Sequence, residues 1–326
     1  MPYATGTAAD VNDLATKFKD FLLANGWTVN RFDTQGSGKR LEVTRAGVYV
    51  STRWLQNENG TSSPGPGGSN VYGVLAVPAT GYSGAADWNT QAGIPLAQNA
   101  ITKLGVGMPL EAGAISAYHF FTDATTDRVW CVVRKTGNVY GYLGFGVTFT
   151  KYGVWTGGAW ACGTRSAGGM TQTFGYGQMG LSIETFPPGY GGVGNSWAGS
   201  PLLVRIDVDT VVGKYLGVSQ STSTSERTDR RLDSGIAGAN YGAALDNGWS
   251  AIALQARGRS TLNTGLGPVP IEISAERTDG LYSPIGRLPD VYAINITDGG
   301  FPYGSEVTVG TDTYVVFPTF ALRKAA

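Results

Sequence analysis

Residues 115–150 read ISAYHFFTDATTDRVWCVVRKTGNVYGYLGFGVTFT, and this stretch decides the fold class. It predicts three strands, at 115–121, 128–134 and 139–150, because each segment is rich in β-branched and aromatic residues. The segments that separate them have the Thr, Asp, Gly and Asn content of turns. The centre of the chain is therefore expected to form an antiparallel meander. Glycines that alternate with rings in the third strand indicate bulges or close approach of another group to the backbone.

The stretch before the meander predicts one amphipathic helix and a small sheet. Asp10 is a good N-cap, Asp13 places negative charge in the first turn, and Gly26 is a typical residue at a helix end. An apolar stripe with three- and four-residue spacing consists of Leu14, Phe18, Phe21 and Leu22. Strands are expected at 27–32, 40–44 and 48–55. Residues 1–56 are thus predicted to form an N-terminal α+β module.

Residues 71–326 predict a β-rich body with long loops that are rich in glycine and aromatic residues. Its further strands are expected at 71–77, 201–208, 249–256, 269–274, 291–296, 306–309 and 313–318. A polar segment at 219–247 predicts a loop. The predicted fold class is α+β, predominantly antiparallel β, with a helix-plus-sheet module followed by a sandwich or barrel-like region.

Residues 151–200 have the most unusual composition in the chain. Eight aromatic rings stand among more than a dozen glycines, and between residues 152 and 200 the only charged side chains are Arg165 and Glu184. We interpret this segment as an extended insertion whose rings pack on the parent domain or on a neighbouring subunit. Six rings are predicted as interface anchors, namely Trp155, Trp160, Tyr176, Phe186, Tyr190 and Trp197.

The composition of the whole chain favours contact with other polypeptides. Glycine occurs 49 times and charged residues make up only 15% of the chain, so few charges are available to cover the surface. Lys plus Arg and Asp plus Glu total 24 each, and this balance gives no net field that would attract nucleic acid or an anionic membrane. The arginines between residues 227 and 231 alternate with acids, which indicates a solvated or subunit-bridging cluster.

Candidate catalytic or metal-binding residues are few. His119 is the only histidine, and its apolar strand favours a packed core residue, although a pairing with Cys131 across the hairpin is conceivable. Cys131 and Cys162 are interpreted as buried free thiols, and with one histidine they cannot supply a zinc site. No cofactor is expected. The acids at Asp207 and Asp209 are interpreted as a strand end, and Glu184 is the nearest candidate for an acid with a raised pKa.

The sequence shows no targeting signal, which suits a protein made in a bacterial cytoplasm. The first residues lack the basic start and apolar core of a signal peptide, and no apolar run approaches the length that spans a bilayer. Membrane insertion and specific nucleic-acid binding are therefore not expected.

Both ends of the chain resemble tailed-bacteriophage virion structural proteins. The start carries this resemblance at Thr5 to Asp10, Asp13, Leu14, Phe18, Phe21 and Ala24 to Val29. The end is similar to the C-terminal segment of the same group at 285–292, 304–310 and 314–318. The resemblance implies a component of the neck, tail or baseplate that is repeated around the tail axis, without catalytic residues. The expected partners are copies of itself and other virion proteins, and the expected location is the virion.

Two alternatives remain from the residues alone. Exposed aromatic rings beside polar loops also suit a receptor-binding protein or adhesin that contacts host glycans, since a ring face stacks on a pyranose. A hydrolase that degrades an envelope or capsule polymer is the second alternative, with Glu184 as its candidate acid.

Overall fold

The computed structural model describes most of the first half of the chain and separate strands of the second half. The described residues are 2–58, 71–92, 106–123, 127–134, 140–147, 150–152, 156–166, 202–207, 215–218, 250–254, 269–276, 282–293, 303–317 and 320–324. They contain one helix and twenty strands, and all strand pairs among them are antiparallel. The predicted fold class, α+β with predominantly antiparallel β-structure, is confirmed.

The helix, α1, spans Val11–Ala24. The strands are β1 (Tyr3–Ala8), β2 (Thr28–Gln35), β3 (Gly38–Arg45), β4 (Val48–Glu58), β5 (Val71–Ala79), β6 (Val106–Pro109), β7 (Ile115–Asp123), β8 (Arg128–Arg134), β9 (Tyr140–Gly146), β10 (Thr150–Lys151), β11 (Thr156–Gly163), β12 (Arg165–Ser166), β13 (Leu202–Asp207), β14 (Tyr215–Val218), β15 (Ser250–Leu254), β16 (Val269–Glu276), β17 (Tyr282–Ala293), β18 (Glu306–Val309), β19 (Asp312–Val316) and β20 (Phe320–Lys324). Every strand predicted from the sequence has a counterpart among them.

The strands form three sheets. Sheet A has the order β1-β7-β8-β9-β11-β13-β14, and the predicted meander is its core of β7, β8 and β9. Sheet B has the order β12-β6-β5-β4-β3-β2. Sheet C has the order β15-β16-β17-β20-β19-β18, with β10 also paired to β17. The predicted boundary after residue 56 falls within β4, which pairs with β5 in sheet B.

Helix α1 is capped and amphipathic as expected. The Asp10 carboxylate accepts a hydrogen bond from the Asp13 N–H at 2.8 Å, and the Asp13 carboxylate accepts one from the Ala9 N–H at 2.8 Å. Asn25 is the C-cap, and Gly26 follows it with a φ of +81°. The buried face consists of Val11, Leu14, Ala15, Phe18 and Leu22, whereas Phe21 is partly buried.

The main core lies between sheets A and B, where α1 packs against strands of both sheets. Phe18 is at its centre, because its ring centroid lies 5.5 Å from that of Trp54 in sheet B and 5.1 Å from that of Phe120 in sheet A. Buried side chains from sheet A, sheet B and the helix belong to one cluster. The helix and strands β2 to β4, which belong to the predicted N-terminal module, thus share this core with strands of sheet A.

The C-terminal strands cover the opposite face of sheet A. The ring centroid of Phe317 lies 5.3 Å from that of His119 and 5.3 Å from that of Tyr140, and Phe320 lies 5.7 Å from Tyr142. Both phenylalanines are buried. Sheet A is therefore the middle of three layers, with the helix and sheet B on one side and the end of sheet C on the other.

One stretch of chain passes from sheet A into sheet B. Strand β11 lies between β9 and β13 in sheet A, and after Thr164 the chain continues as β12, which pairs with β6 of sheet B. The Thr164 N–H donates to the Tyr142 carbonyl at 3.0 Å and fixes this corner. The first part of the predicted 151–200 insertion is therefore integral to the sheets. Residues 167–200 and the predicted loop 219–247 lie outside the described residues.

Candidate functional site

Of the six predicted interface anchors, Trp160 is the one that the structure describes. Its side chain is fully buried, 5.3 Å from the Trp130 ring, and a Cβ at Gly146 would lie 2.6 Å from Trp160 Nε1. The glycine therefore admits the ring close to the backbone, as its spacing predicted. Trp160 thus packs inside the chain. The other five predictions, Trp155, Tyr176, Phe186, Tyr190 and Trp197, lie outside the described residues.

His119 is a packed core histidine, in agreement with the sequence. Its Nδ1 lies 2.8 Å from the Tyr3 hydroxyl, and its ring contacts Phe317. Burial lowers the pKa of His119 to about 4, so the imidazole is neutral at physiological pH.

His119 and Cys131 lie on opposite faces of sheet A. In the β7–β8 register, Cys131 is opposite Phe120 and faces the main core, whereas His119 is opposite Val132. The conceivable pairing of the two residues is therefore not formed. Both cysteines are free and buried, and burial raises the pKa of the Cys131 and Cys162 thiols.

The sequence did not single out the polar cluster on the outer face of sheet B. This outer-face cluster consists of Arg31, Asp33, Arg40, Glu42, Asp87 and Gln91. Arg31 is opposite Glu42, and Asp33 is opposite Arg40, so the β2–β3 hairpin places two ion pairs on one face. A signal was present in the sequence, because charges at alternate positions of two strands joined by a tight turn share a face.

Residues 80–92, which we call the cover segment, close over this cluster. The Thr80 N–H donates to the Ala92 carbonyl at 2.7 Å and joins the two ends of the segment. The Arg31 guanidinium donates to the carbonyls of Ser83, Gly84 and Ala86. A charged side chain from the sheet thus organises the backbone of the segment above it.

Gln91 ties the cover segment to the cluster from the other side. Its amide nitrogen donates to the carbonyls of Ser83, Ala86 and Asp87, each at 3.1 Å, and lies 3.3 Å from the Glu42 carboxylate. Its oxygen accepts from the Ser83 N–H at 2.7 Å. These bonds satisfy backbone groups that an irregular segment would otherwise leave unpaired.

Glu42 is the chemically most perturbed acid of the cluster. Its Oε1 accepts from Arg31 at 3.0 Å, while its Oε2 is buried without a hydrogen-bond partner. The hydroxyl of Ser51, which is opposite Glu42 in the β3–β4 register, is also buried and without a partner. Burial raises the pKa of Glu42 to about 6 although Arg31 and Arg40 lower it. The contacts of Arg31 and Gln91 hold the cover segment in place. Only 2% of the Glu42 surface is exposed.

A second buried charge network joins sheet C to sheet A. The Asp290 carboxylate accepts from Arg128 at 2.8 Å and from Arg323 Nε at 2.8 Å, and Arg128 also binds Asp123 at 2.9 Å. Asp290 has a φ of +61°, which non-glycine residues rarely adopt. This network fixes β17 and β20 against the β7–β8 hairpin.

The remaining candidate sites either lie outside the described residues or have a structural explanation. Asp207 ends β13, as the sequence indicated. Glu184 and the arginines between residues 227 and 231 lie outside the described residues. Within the described ranges, His, Cys, Asp and Glu side chains form no group of three that could hold a metal ion. The described helix is too short and too polar to cross a membrane.

Comparison with known proteins adds no relative. A scan against models of protein families gives no match, and a search of curated proteins gives none either.

Proposed function

We propose that the chain is a structural subunit of a tailed-phage virion, placed in the neck, tail or baseplate as part of a symmetric assembly. The proposal draws on the resemblance of the two chain ends to virion proteins and on the low charge content. In this function the protein works by packing on its own copies and on other virion proteins, without a catalytic step.

The observation that carries the proposal is the meeting of the two ends on one sheet. Helix α1, from the N-terminal segment, packs on one face of sheet A, and Phe317, from the C-terminal segment, packs on the other. Lys324 also lies 5.1 Å from the centroid of the Tyr3 ring. The segments that carry the resemblance therefore belong to one body. Such a body can serve as the framework of a subunit.

The distribution of tryptophans limits the composition argument for partner contacts. Five of the eight tryptophans are buried within the described body, at positions 27, 54, 88, 130 and 160. The composition argument for partner contacts therefore depends on rings elsewhere, above all on Tyr176, Phe186, Tyr190 and Trp197. These four rings follow, in the chain, the residues of the described main core, which all lie between Ala8 and Ala161.

The proposal is tested by replacing four rings at once. We expect Tyr176→Ala, Phe186→Ala, Tyr190→Ala and Trp197→Ala in one chain to reduce incorporation into particles about tenfold or more, since buried aromatic anchors dominate interface energies. Incorporation is measured by quantitative mass spectrometry of purified particles. The matched control combines Tyr82→Ala with Tyr152→Ala, because these rings are exposed in the described body; it should incorporate normally.

Three outcomes would count against a structural function. Normal incorporation of the four-ring variant would remove the predicted interface. Specific binding of the purified wild-type chain on a glycan array would favour the receptor-binding alternative, and polymer turnover that is lost in Glu184→Gln would favour the hydrolase.

A further inference from the structure

The cover segment is a loop whose two ends meet beside the end of β5. The Thr80 N–H donates to the Ala92 carbonyl at 2.7 Å, and a Cβ added at Gly81 would lie 3.3 Å from the Ala92 Cβ. The other described backbone-to-backbone hydrogen bonds of the segment lie inside it. Surface loops whose ends are this close are compact units that pack on their own side chains.

Among the described residues, side chains rather than strand pairing hold the segment to sheet B. Arg31 donates to three of its carbonyls, while Gln35 and Arg40 donate to the Asp87 carboxylate at 2.9 Å and 3.3 Å. The Trp88 ring packs in an apolar cluster with residues of β4 and β5. An element attached in this way can open without the loss of strand pairing, so its opening can occur apart from unfolding of the whole chain.

The closed segment buries several polar atoms without a hydrogen-bond partner. They are Glu42 Oε2 and Ser51 Oγ on sheet B, and Trp88 Nε1 and Asn89 Oδ1 in the segment itself. Burial of a polar group without a partner is unfavourable, and it is most unfavourable for an ionised carboxylate. Opening of the segment gives water access to these atoms and removes that cost. The closed state is therefore least favourable when Glu42 carries a charge.

The charges around Glu42 do not compensate an ionised carboxylate at this position. The charged or titratable groups on the outer face are Arg31 and Asp33 of β2, Arg40 of β3, Tyr49, Arg53 and Glu58 of β4, and Tyr82 and Asp87 of the cover segment. With Glu42 ionised, four carboxylates meet three guanidinium groups there. Protonation of Glu42 removes the excess negative charge together with the cost of its desolvation.

We propose that the cover segment is a lid controlled by protonation, which closes over sheet B when Glu42 is neutral and opens at Thr80 and Ala92 when Glu42 is ionised. The open lid exposes the Glu42 carboxylate and the Trp88 ring to water. Such a lid is a property of the single chain, so it does not depend on the proposed assembly.

The direction of the pH effect follows from the state that holds the proton more tightly. Burial raises the pKa of Glu42 to about 6 when the lid is closed, whereas a carboxyl that water reaches has the ordinary value of 4.5. Closure is therefore strongest below that ordinary value and weakens as pH rises through about 6. The bonds that Arg31 and Gln91 make to the segment oppose the opening at every pH.

Two indole groups distinguish opening of the lid from unfolding of the chain. The Trp88 N–H is buried under the lid without an acceptor, so it exchanges with water when the lid opens. The Trp54 N–H lies in the main core and donates to the Thr52 hydroxyl at 3.0 Å, so its exchange reports unfolding of that core. Hydrogen exchange of both groups is measured by NMR in the full-length chain, and each rate is divided by the intrinsic rate at that pH.

The expected result is a pH-dependent opening at Trp88 that Glu42 controls. In the wild type, the Trp88 indole should exchange faster than the Trp54 indole, and its opening equilibrium should rise about tenfold or more between about pH 4 and about pH 7.5. In Glu42→Gln it should change by less than about twofold, because position 42 no longer titrates. The matched control is Asp20→Asn, an exposed acid of α1, which should keep the wild-type rise.

The wild type alone tests the lid if a variant does not fold. Exchange of Trp88 at the same rate as Trp54 would show that the segment opens only when the whole chain unfolds. A Trp88 opening that does not change with pH, or a rise in Glu42→Gln equal to that of the wild type, would also overturn the lid. Particle incorporation of the four-ring variant tests the proposed function separately.

Discussion

Glu42 carries a carboxylate that is 2% exposed, on a strand whose other face belongs to the main core. Desolvation disfavours its charged form more than the nearby cations favour it, and Asp33 and Asp87 add to the same effect. The pKa of Glu42 is raised to about 6 for this reason. Arg31 donates a hydrogen bond to the Glu42 carboxylate and another to the Ala86 carbonyl of the cover segment. The titration of Glu42 beneath the cover segment therefore makes the free energy of unfolding depend on pH.

This link predicts a pH dependence with a definite sign. The folded chain holds the Glu42 proton more tightly than the unfolded chain, whose pKa is 4.5. The contribution of this group to the free energy of unfolding is therefore full below that value and is lost as pH rises through about 6. The shift corresponds to roughly 2 kcal/mol. We expect wild-type stability, relative to Glu42→Gln, to fall by up to that amount between about pH 4 and about pH 7.5 in urea denaturation. Parallel pH profiles for the two proteins would contradict it.

At the scale of elements, α1 connects the two sheets of the main core. Its buried face contacts Trp54 in sheet B and Phe120 in sheet A through Phe18. Its N-terminus depends on two short side chains, since Asp10 and Asp13 satisfy N–H groups that have no partner inside the helix. The capping interaction therefore contributes to the packing of both sheets through the position of the helix.

Removal of the N-cap should have a measurable cost. We expect Asp10→Ala to lower the free energy of unfolding by about 1 kcal/mol, because the Asp13 N–H loses its acceptor. The control is Asp20→Ala, whose side chain is 61% exposed on the same helix and should change stability by less than about 0.5 kcal/mol. Chemical denaturation of the two variants side by side measures the difference. Equal effects would show that capping adds nothing here.

At the scale of the whole molecule, the C-terminal strands complete a three-layer body. Phe317 and Phe320 bury the face of sheet A that carries His119 and Tyr142. The charge network around Asp290 fixes the same strands through Arg128, whose side chain is 4% exposed. Apolar packing and a buried ion pair thus hold the end of the chain against its centre.

Neutralisation of Asp290 should loosen the C-terminal layer. Asparagine tolerates the left-handed backbone found there, so Asp290→Asn removes the charge and keeps the local conformation. We expect a loss of about 1.5–3 kcal/mol, because the buried Arg128 loses one of its two carboxylate partners and keeps Asp123. Denaturation measures the loss, and limited proteolysis should cut the C-terminal strands earlier. The control is Asp312→Asn. The Asp312 carboxylate lies 3.7 Å from Arg323, whose side chain is more exposed than that of Arg128, so this variant should behave like the wild type.

The sequence by itself determined the helix, the meander and most other strands. Their signals are local, since a capped 3.6-residue stripe or a run of β-branched and aromatic residues needs no distant partner to be recognised. The same local information identified His119 as a core residue and both cysteines as buried thiols. Strands β1, β6, β11, β12, β14 and β20 escaped prediction because they are short, or because their residues are small or glycine-rich. Pairing with neighbouring strands, and not propensity, holds them extended.

Only the tertiary structure decided which residues meet. The outer-face cluster needs the β2–β3 register together with the cover segment, and the Asp290 network joins residues 162 positions apart in the chain. The burial of Trp160 likewise follows from the place of β11 between two strands that the sequence did not connect with it. Long-range contacts of this kind depend on the order of strands in a sheet. That order is set by the packing of all layers at once, which no single stretch of sequence encodes.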